Sequence, residues 1–119
     1  YMTPAVFTDV TQNMRIAREE IFGPVIALLE FDSYEQALAM ANDTEYGLSA
    51  AIVTRSAEYA HRFSTDIEAG TVKINRTTTG NLMNAPFGGL KQSSTSTFRE
   101  SGRGGLEFYT QIKTVYRGI

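Results

Sequence analysis

Twice in succession a short apolar run is followed by a serine-capped amphipathic stretch, and this alternation limits the fold more than any other feature of the chain. Residues 25–31, VIALLEF, are too short for an independent helix and suit a buried strand. Asp32 and Ser33 break the run, and Ser33 with Gln36 forms a capping-box pattern that predicts a helix start. Tyr34, Ala37, Leu38 and Ala41 fall on one face of that helix, and Gly47 closes the connection. Residues 48–54 read as the next strand. Ser56 caps a second helix with Ala60, Phe63 and Ile67 inward, Gly70 ends it, and residues 71–74 make a third strand. Helical crossovers of this length join parallel strands. The expected class is α/β, a βαβαβ parallel sheet of the three-layer type.

After Asn75 the texture changes. Residues 76–105 are dense in Thr, Ser, Gly and Asn, with Leu82, Met83, Pro86, Phe87, Leu90 and Phe98 as apolar anchors. A loop of this length in a compact domain is functional or disordered. Its aromatics and the PFGG stretch predict a shaped loop in an intact parent protein and a flexible one in the free chain. Gly105 to Tyr109 makes a helical turn, and residues 111–116 alternate as a terminal strand does. Such a strand, with no hairpin partner, needs a neighbour from this chain or another subunit. The chain therefore divides into residues 1–105, with the loop region 76–105 on the substrate side, and a terminal turn and strand over 106–119. Open sheet edges predict self-association.

The 119 residues suffice for one domain with a modest core. No apolar run approaches the ~20 residues of a membrane span, and a net charge of −2 without a basic stripe argues against nucleic acid. The chain has no cysteine, so it holds no disulfide, thiolate metal site or cysteine nucleophile. A single His61 leaves no basis for a histidine metal site or a Ser-His-Asp triad. No basic-then-apolar segment precedes the first residues, which already read as structure. The chain reads as beginning within a domain, and the expected location is cytoplasmic.

Three features carry possible chemistry. Glu19 and Glu20 are adjacent, so they point apart and form no facing acid–base dyad. Taken singly, one carboxylate at a cleft lip can accept two ribose hydroxyls, with Phe22 as an apolar wall for a flat ring. The plain alternative is a helical ion pair of Glu19 with Arg15 or Arg18. Arg76 follows the third strand, where open α/β sheets place ligands, and a guanidinium there suits a carboxylate-bearing substrate. A surface salt bridge explains it equally well. The glycines of FGGLK permit tight turns or close backbone approach, but no phosphate-cradling glycine motif is present.

The stretches EEIFGPV, NDTEYGLSAAIVT, GTVKIN, APFGGLKQSS and GLEFYTQIKTVY, in this order, resemble the carboxy-terminal quarter of the NAD(P)-dependent aldehyde dehydrogenase superfamily. The variant INRTTTG…NAPFGG and the longer SSTSTFRESG most resemble its branch acting on α-ketoglutaric semialdehyde. The resemblance implies that Glu20 accepts hydrogen bonds from the nicotinamide ribose of NAD or NADP, that Phe22 packs near the nicotinamide, and that Phe87 stands on the aldehyde pocket wall. It implies a small-molecule aldehyde substrate and a homo-oligomer paired through residues 110–117. In an acid-semialdehyde enzyme Arg76 would hold the distal carboxylate, an inference from its position and charge.

The departures carry equal weight. Family chemistry needs a cysteine to attack the aldehyde, a glutamate to activate water and an amide to hold the oxyanion. In the family these precede the matched segment, so this chain contains no catalytic residue and alone is expected to be inactive. Ser93-Ser94 also lacks the family's glycine, and Phe98 precedes Arg99-Glu100. The competing reading is a non-catalytic structural or oligomerisation module derived from such an enzyme.

Overall fold

The computed structural model describes residues 1–94 and 98–119. In chain order its elements are β1 (Ala5–Phe7), α1 (Arg15–Arg18), β2 (Val25–Ala27), α2 (Tyr34–Asn42), β3 (Tyr46–Gly47), β4 (Ser49–Ile52), α3 (Ala57–Asp66), β5 (Thr71–Ile74), β6 (Leu90–Lys91) and α4 (Gly102–Tyr109). Both serine caps form. Ser33 Oγ accepts the Gln36 N–H at 3.2 Å, and Gln36 Oε1 accepts the Asp32 N–H at 2.7 Å. Ser56 Oγ accepts the Tyr59 N–H at 3.2 Å. Each bond satisfies a helix-start donor that has no partner within the helix.

The two helices meet through their first turns. Tyr34 and Tyr59 stack with ring centroids 4.7 Å apart. The Arg62 guanidinium lies 4.4 Å from the centre of the Tyr34 ring and pairs with Glu35 at 3.0 Å. On the inner side Phe63 and Ile67 are buried, as the spacing predicts.

Strand pairing is α/β and parallel, but the three expected strands do not share one sheet. β1 pairs with β2 from Ala5↔Val25 to Phe7↔Ala27, and β4 pairs with β5 from Ser49↔Thr71 to Ile52↔Ile74, both parallel. Between the pairs lies a cavity of about 670 Å³, lined by Ala27, Phe31 and Met40 on one side and Ala51 on the other. A crossover helix fixes strand direction, yet it can pass over a sheet position, so α2 does not make β2 and β4 neighbours. A third pair, antiparallel β3 and β6, joins Gly47 to Leu90 and was not expected from the sequence.

Residues 111–116 form no strand: they have no ladder partner among the described residues, and Ile112, Val115 and Tyr116 are exposed. An extended segment without a neighbour has nothing to pair its backbone with. No helix among the described residues is long and apolar enough to cross a membrane.

The core is small. Among the described residues only Val10, Phe63 and Ile67 are buried hydrophobics, each 8% exposed. The radius of gyration is 18.7 Å, whereas a compact chain of this length would have about 13–14 Å. The apolar faces of β1, β2 and the terminal segment thus lack cover within this chain, with Val6, Ile26, Leu28 and Ile112 all exposed.

The loop after β5 is shaped by backbone proximity. A Cβ on Gly70 would stand 1.8 Å from the Gly88 carbonyl oxygen, and one on Gly47 would stand 2.5 Å from the Glu68 carbonyl oxygen. Phe87 and Glu100 exchange two backbone hydrogen bonds, of 2.6 and 2.7 Å, closing the loop on itself. Gly70→Ala in the intact parent protein must push the 87–89 backbone away from β5. It is expected to destabilise by about 1–3 kcal/mol, read as a lowered midpoint in thermal or urea unfolding, whereas Gly80→Ala, with open space around it, should cost less despite its positive φ.

Candidate functional site

Two turns of chain bring the acidic pair to its place. α1 ends at Arg18, and the Glu19 N–H closes the last turn on the Arg15 carbonyl at 2.8 Å. The structure divides the pair. Glu19 accepts two bonds from the Arg15 guanidinium, at 2.9 and 2.8 Å, which hold its carboxyl below the usual range. Glu20 has no hydrogen bond or ion pair among the described residues. It lines a cavity of about 460 Å³ with Tyr46, Gly47, Leu48, Gln92 and Ser93. Its oxygens are therefore open to donors from a bound molecule.

Phe22 is 93% exposed with φ at +56°. A bulky side chain in the left-handed region is strained, and such strain concentrates at functional sites. Phe22 lines neither the Glu20 cavity nor the one described next.

Arg76 and Phe87 stand together. They share a cavity of about 280 Å³ with Val72, Lys73 and Leu82. Asn75 takes φ of +54°, which asparagine tolerates, and turns the chain out of β5. Its side-chain oxygen holds the Thr54 N–H at 2.8 Å, and its own N–H reaches the Ile52 carbonyl at 2.8 Å. Arg76 is exposed and has no carboxylate partner among the described residues. Lys73, which the sequence did not single out, donates to the Thr78 and Thr79 carbonyls at 3.1 and 2.6 Å. It brings a second cation to the Arg76 cavity and shapes the threonine run beside it.

The two ends are joined by a third depression of about 430 Å³. It shares Leu48, Gln92 and Ser93 with the Glu20 cavity, and Phe87 with the Arg76 cavity. A carboxylate acceptor thus lies at one end of a row of three adjoining cavities and two cations at the other. The lone His61 sits outside it, exposed on α3.

Sequence reasoning also missed the residues that hold this row together. Lys91 donates to the Asn42 and Thr44 carbonyls at 2.6 and 3.0 Å and pairs with Glu68 at 2.6 Å. Arg18 donates to the Asp43 carbonyl at 2.7 Å and to its carboxylate at 2.6 Å. Ser93 Oγ accepts the Gly47 N–H at 3.0 Å. A positive φ at a lysine (+51° at Lys91) is the structural sign of a constrained site, but no residue spacing announces these partners.

The Arg18 hydrogen bond holds the Asp43 carboxyl below its usual range. A depressed carboxylate contributes stability above its unfolded pKa, and that contribution disappears as pH falls through the folded value. Asp43→Asn is accordingly expected to be less stable than the natural sequence at neutral pH. The gap should close in acid, in denaturant titrations run across pH.

The profile of the aldehyde dehydrogenase family matches residues 1–115 of this chain. The alpha-ketoglutarate semialdehyde dehydrogenase of Haloferax volcanii is 54% identical over 116 residues, covering 98% of this chain and 24% of that protein. HpcC from Thermus thermophilus superposes with a TM-score of 0.85 at 45% identity, over 92% of this chain and 21% of that one. An aldehyde dehydrogenase of Mycobacterium tuberculosis, complexed with NAD+, gives a TM-score of 0.80 at 42% identity, over 89% and 21%. The chain spans about a quarter of the length of the relatives it matches.

Proposed function

This chain belongs to the aldehyde dehydrogenase family, and we propose that the protein of which it forms a part oxidises an acid semialdehyde to the carboxylic acid with NAD(P)+. The α-ketoglutaric type is the preferred substrate class, supported by the name of the Haloferax relative and by the paired cations Lys73 and Arg76. The observation that carries the reading is the Glu20 carboxylate, without a partner among the described residues, at one end of a row of adjoining cavities whose other end holds those cations.

The residues present fit a dinucleotide at the Glu20 end. A carboxylate without a partner among the described residues offers two oxygens to vicinal hydroxyls, and the Mycobacterium relative is complexed with NAD+. When bound, NAD(P)+ supplies the hydride acceptor. Glu20 takes the ribose hydroxyls and fixes the sugar, while Phe22, held outward in a strained conformation, offers a face to the nicotinamide. At the far end Arg76 grips the substrate's distal carboxylate in the fork geometry that a guanidinium provides. Lys73 spends two of its three protons on loop carbonyls and adds charge behind it. Phe87, half-buried on the shared wall, keeps water from the chain between the two ends.

With no cysteine in this chain, the attack on the aldehyde belongs to the remainder of the protein, and this chain alone is inactive. The exposed terminal segment, residues 110–117, pairs in the same reading with a second subunit, which would cover Ile112, Val115 and Tyr116.

Two variants of the full-length protein test the assignment. Glu20→Gln should slow hydride transfer and weaken NAD(P)+, seen in single-turnover absorbance, and unchanged cofactor kinetics would remove Glu20 from the site. Arg76→Ala should cost on the order of 2 kcal/mol, about 30-fold in kcat/KM, for semialdehydes with a distal carboxylate and much less for neutral aldehydes. An equal loss for both substrate classes rejects the clamp.

A further inference from the structure

Resting on that reading of Glu20 and Phe87, we propose that Arg18 and Lys91 are positioning residues, which mount the cofactor-side segment and the substrate-side loop on one helix end. The last turn of α2 contains no basic residue. Its terminal carbonyls nevertheless need donors, and the helix places partial negative charge there. Donors arrive from two distant parts of the chain. Gln12 donates to the Met40 and Asp43 carbonyls at 3.0 and 3.1 Å, and Arg18 donates to Asp43 twice. From the other side Lys91 takes the Asn42 and Thr44 carbonyls.

Each cation sits close in sequence to the group it positions. Arg18 lies two residues before Glu20, and its Nε also donates to the Gln12 carbonyl at 2.7 Å, so its whole fork is engaged. Lys91 lies four residues after Phe87. Beyond it Gln92 and Ser93 bond Glu45 and Gly47, which line or border the Glu20 cavity. With Asn42, Thr44 and Glu68 as partners, the Lys91 ammonium uses all three protons and has none for a substrate. Arg18 grips Asp43 while Lys91 grips Asn42 and Thr44 on either side of it, so releasing one cation loosens the turn that anchors the other. Arg15 is the internal contrast, since its guanidinium is 87% exposed and engages only Glu19.

The test uses the full-length enzyme carrying Arg18→Met, Lys91→Met, the double variant, Arg18→Lys, Lys91→Arg and Arg15→Ala. NADH affinity is read by fluorescence, aldehyde KM by steady-state rates, and local order by amide hydrogen exchange. Arg18→Met should weaken NADH about tenfold and Lys91→Met should raise aldehyde KM about tenfold, displacement by an ångström being enough for such losses. Arg18→Lys and Lys91→Arg should each recover part of the loss, and Arg15→Ala should change neither constant. In the double variant the loss in kcat/KM for the aldehyde should fall short of the product of the two single-variant losses in that same constant, because the two anchors share one turn. Exchange should quicken in residues 18–22 and 42–46 of Arg18→Met while α3 stays protected. Unchanged exchange there overturns the tether. Quickened exchange with normal NADH affinity, beside a Glu20→Gln variant that has lost affinity, overturns the positioning role. Normal affinity in Glu20→Gln itself overturns the ribose reading, and the exchange result then decides the tether alone. Fully multiplicative losses overturn the shared anchor.

Discussion

The end of α2 is where this structure is decided. Carbonyls left over at a helix terminus must find donors, and here they find Gln12 and Arg18 from the segment before the acidic pair and Lys91 from the loop after PFGG. Asn42 extends the same knot: its amide donates to the Asp66 carbonyl at 3.0 Å and its oxygen accepts the Glu68 N–H at 2.9 Å. One turn of polar chain thereby collects the start of the chain, the end of α3 and the far loop. Without it the Glu20 end and the Phe87 end of the row would have no common support, because apolar packing here is too slight to supply one.

That slight packing has a physical reading. Among the described residues there are three buried hydrophobics, and the radius of gyration is extended, so most of the apolar surface lacks cover within the chain. Strand pairs β1–β2 and β4–β5 stand apart across a cavity, and large side chains such as Val53, Leu82 and Ile112 face outward. The chain spans about a quarter of the Haloferax relative's length, and its polar knot holds together strands that its own apolar packing leaves uncovered.

Local rules were readable and long-range ones were not. Ser33 and Ser56 announce both helices because a cap acts over three residues. Phe63 and Ile67 announce the inner face of α3 because helical spacing repeats. The helix ending the loop starts at Gly102, three residues before the sequence suggested, since Ser101 and Gly102 adopt positive φ that spacing does not encode. Whether β2 neighbours β4 depends on what fills the position between them, so the expected single sheet could not be read from this chain. Nor could the terminal strand be judged, since a strand is defined by its partner. At the site, EEIFGPV and PFGG point to Glu20, Phe22 and Phe87 through resemblance, and Arg76 through its place after β5. Lys73 and Lys91 escaped because a lysine's three protons find carbonyls anywhere within reach, and no spacing records which.

The central claim is that Glu20 and Arg76 grip opposite ends of one reacting assembly. A crystal structure of the full-length protein with NAD(P)+ and a dicarboxylate product tests it most directly. The account predicts the Glu20 carboxylate at about 2.6–2.9 Å from both nicotinamide-ribose hydroxyls and the Arg76 fork on the product's distal carboxylate. A dinucleotide seated with its ribose away from Glu20, or a product whose distal carboxylate is held by some other cation, would contradict it.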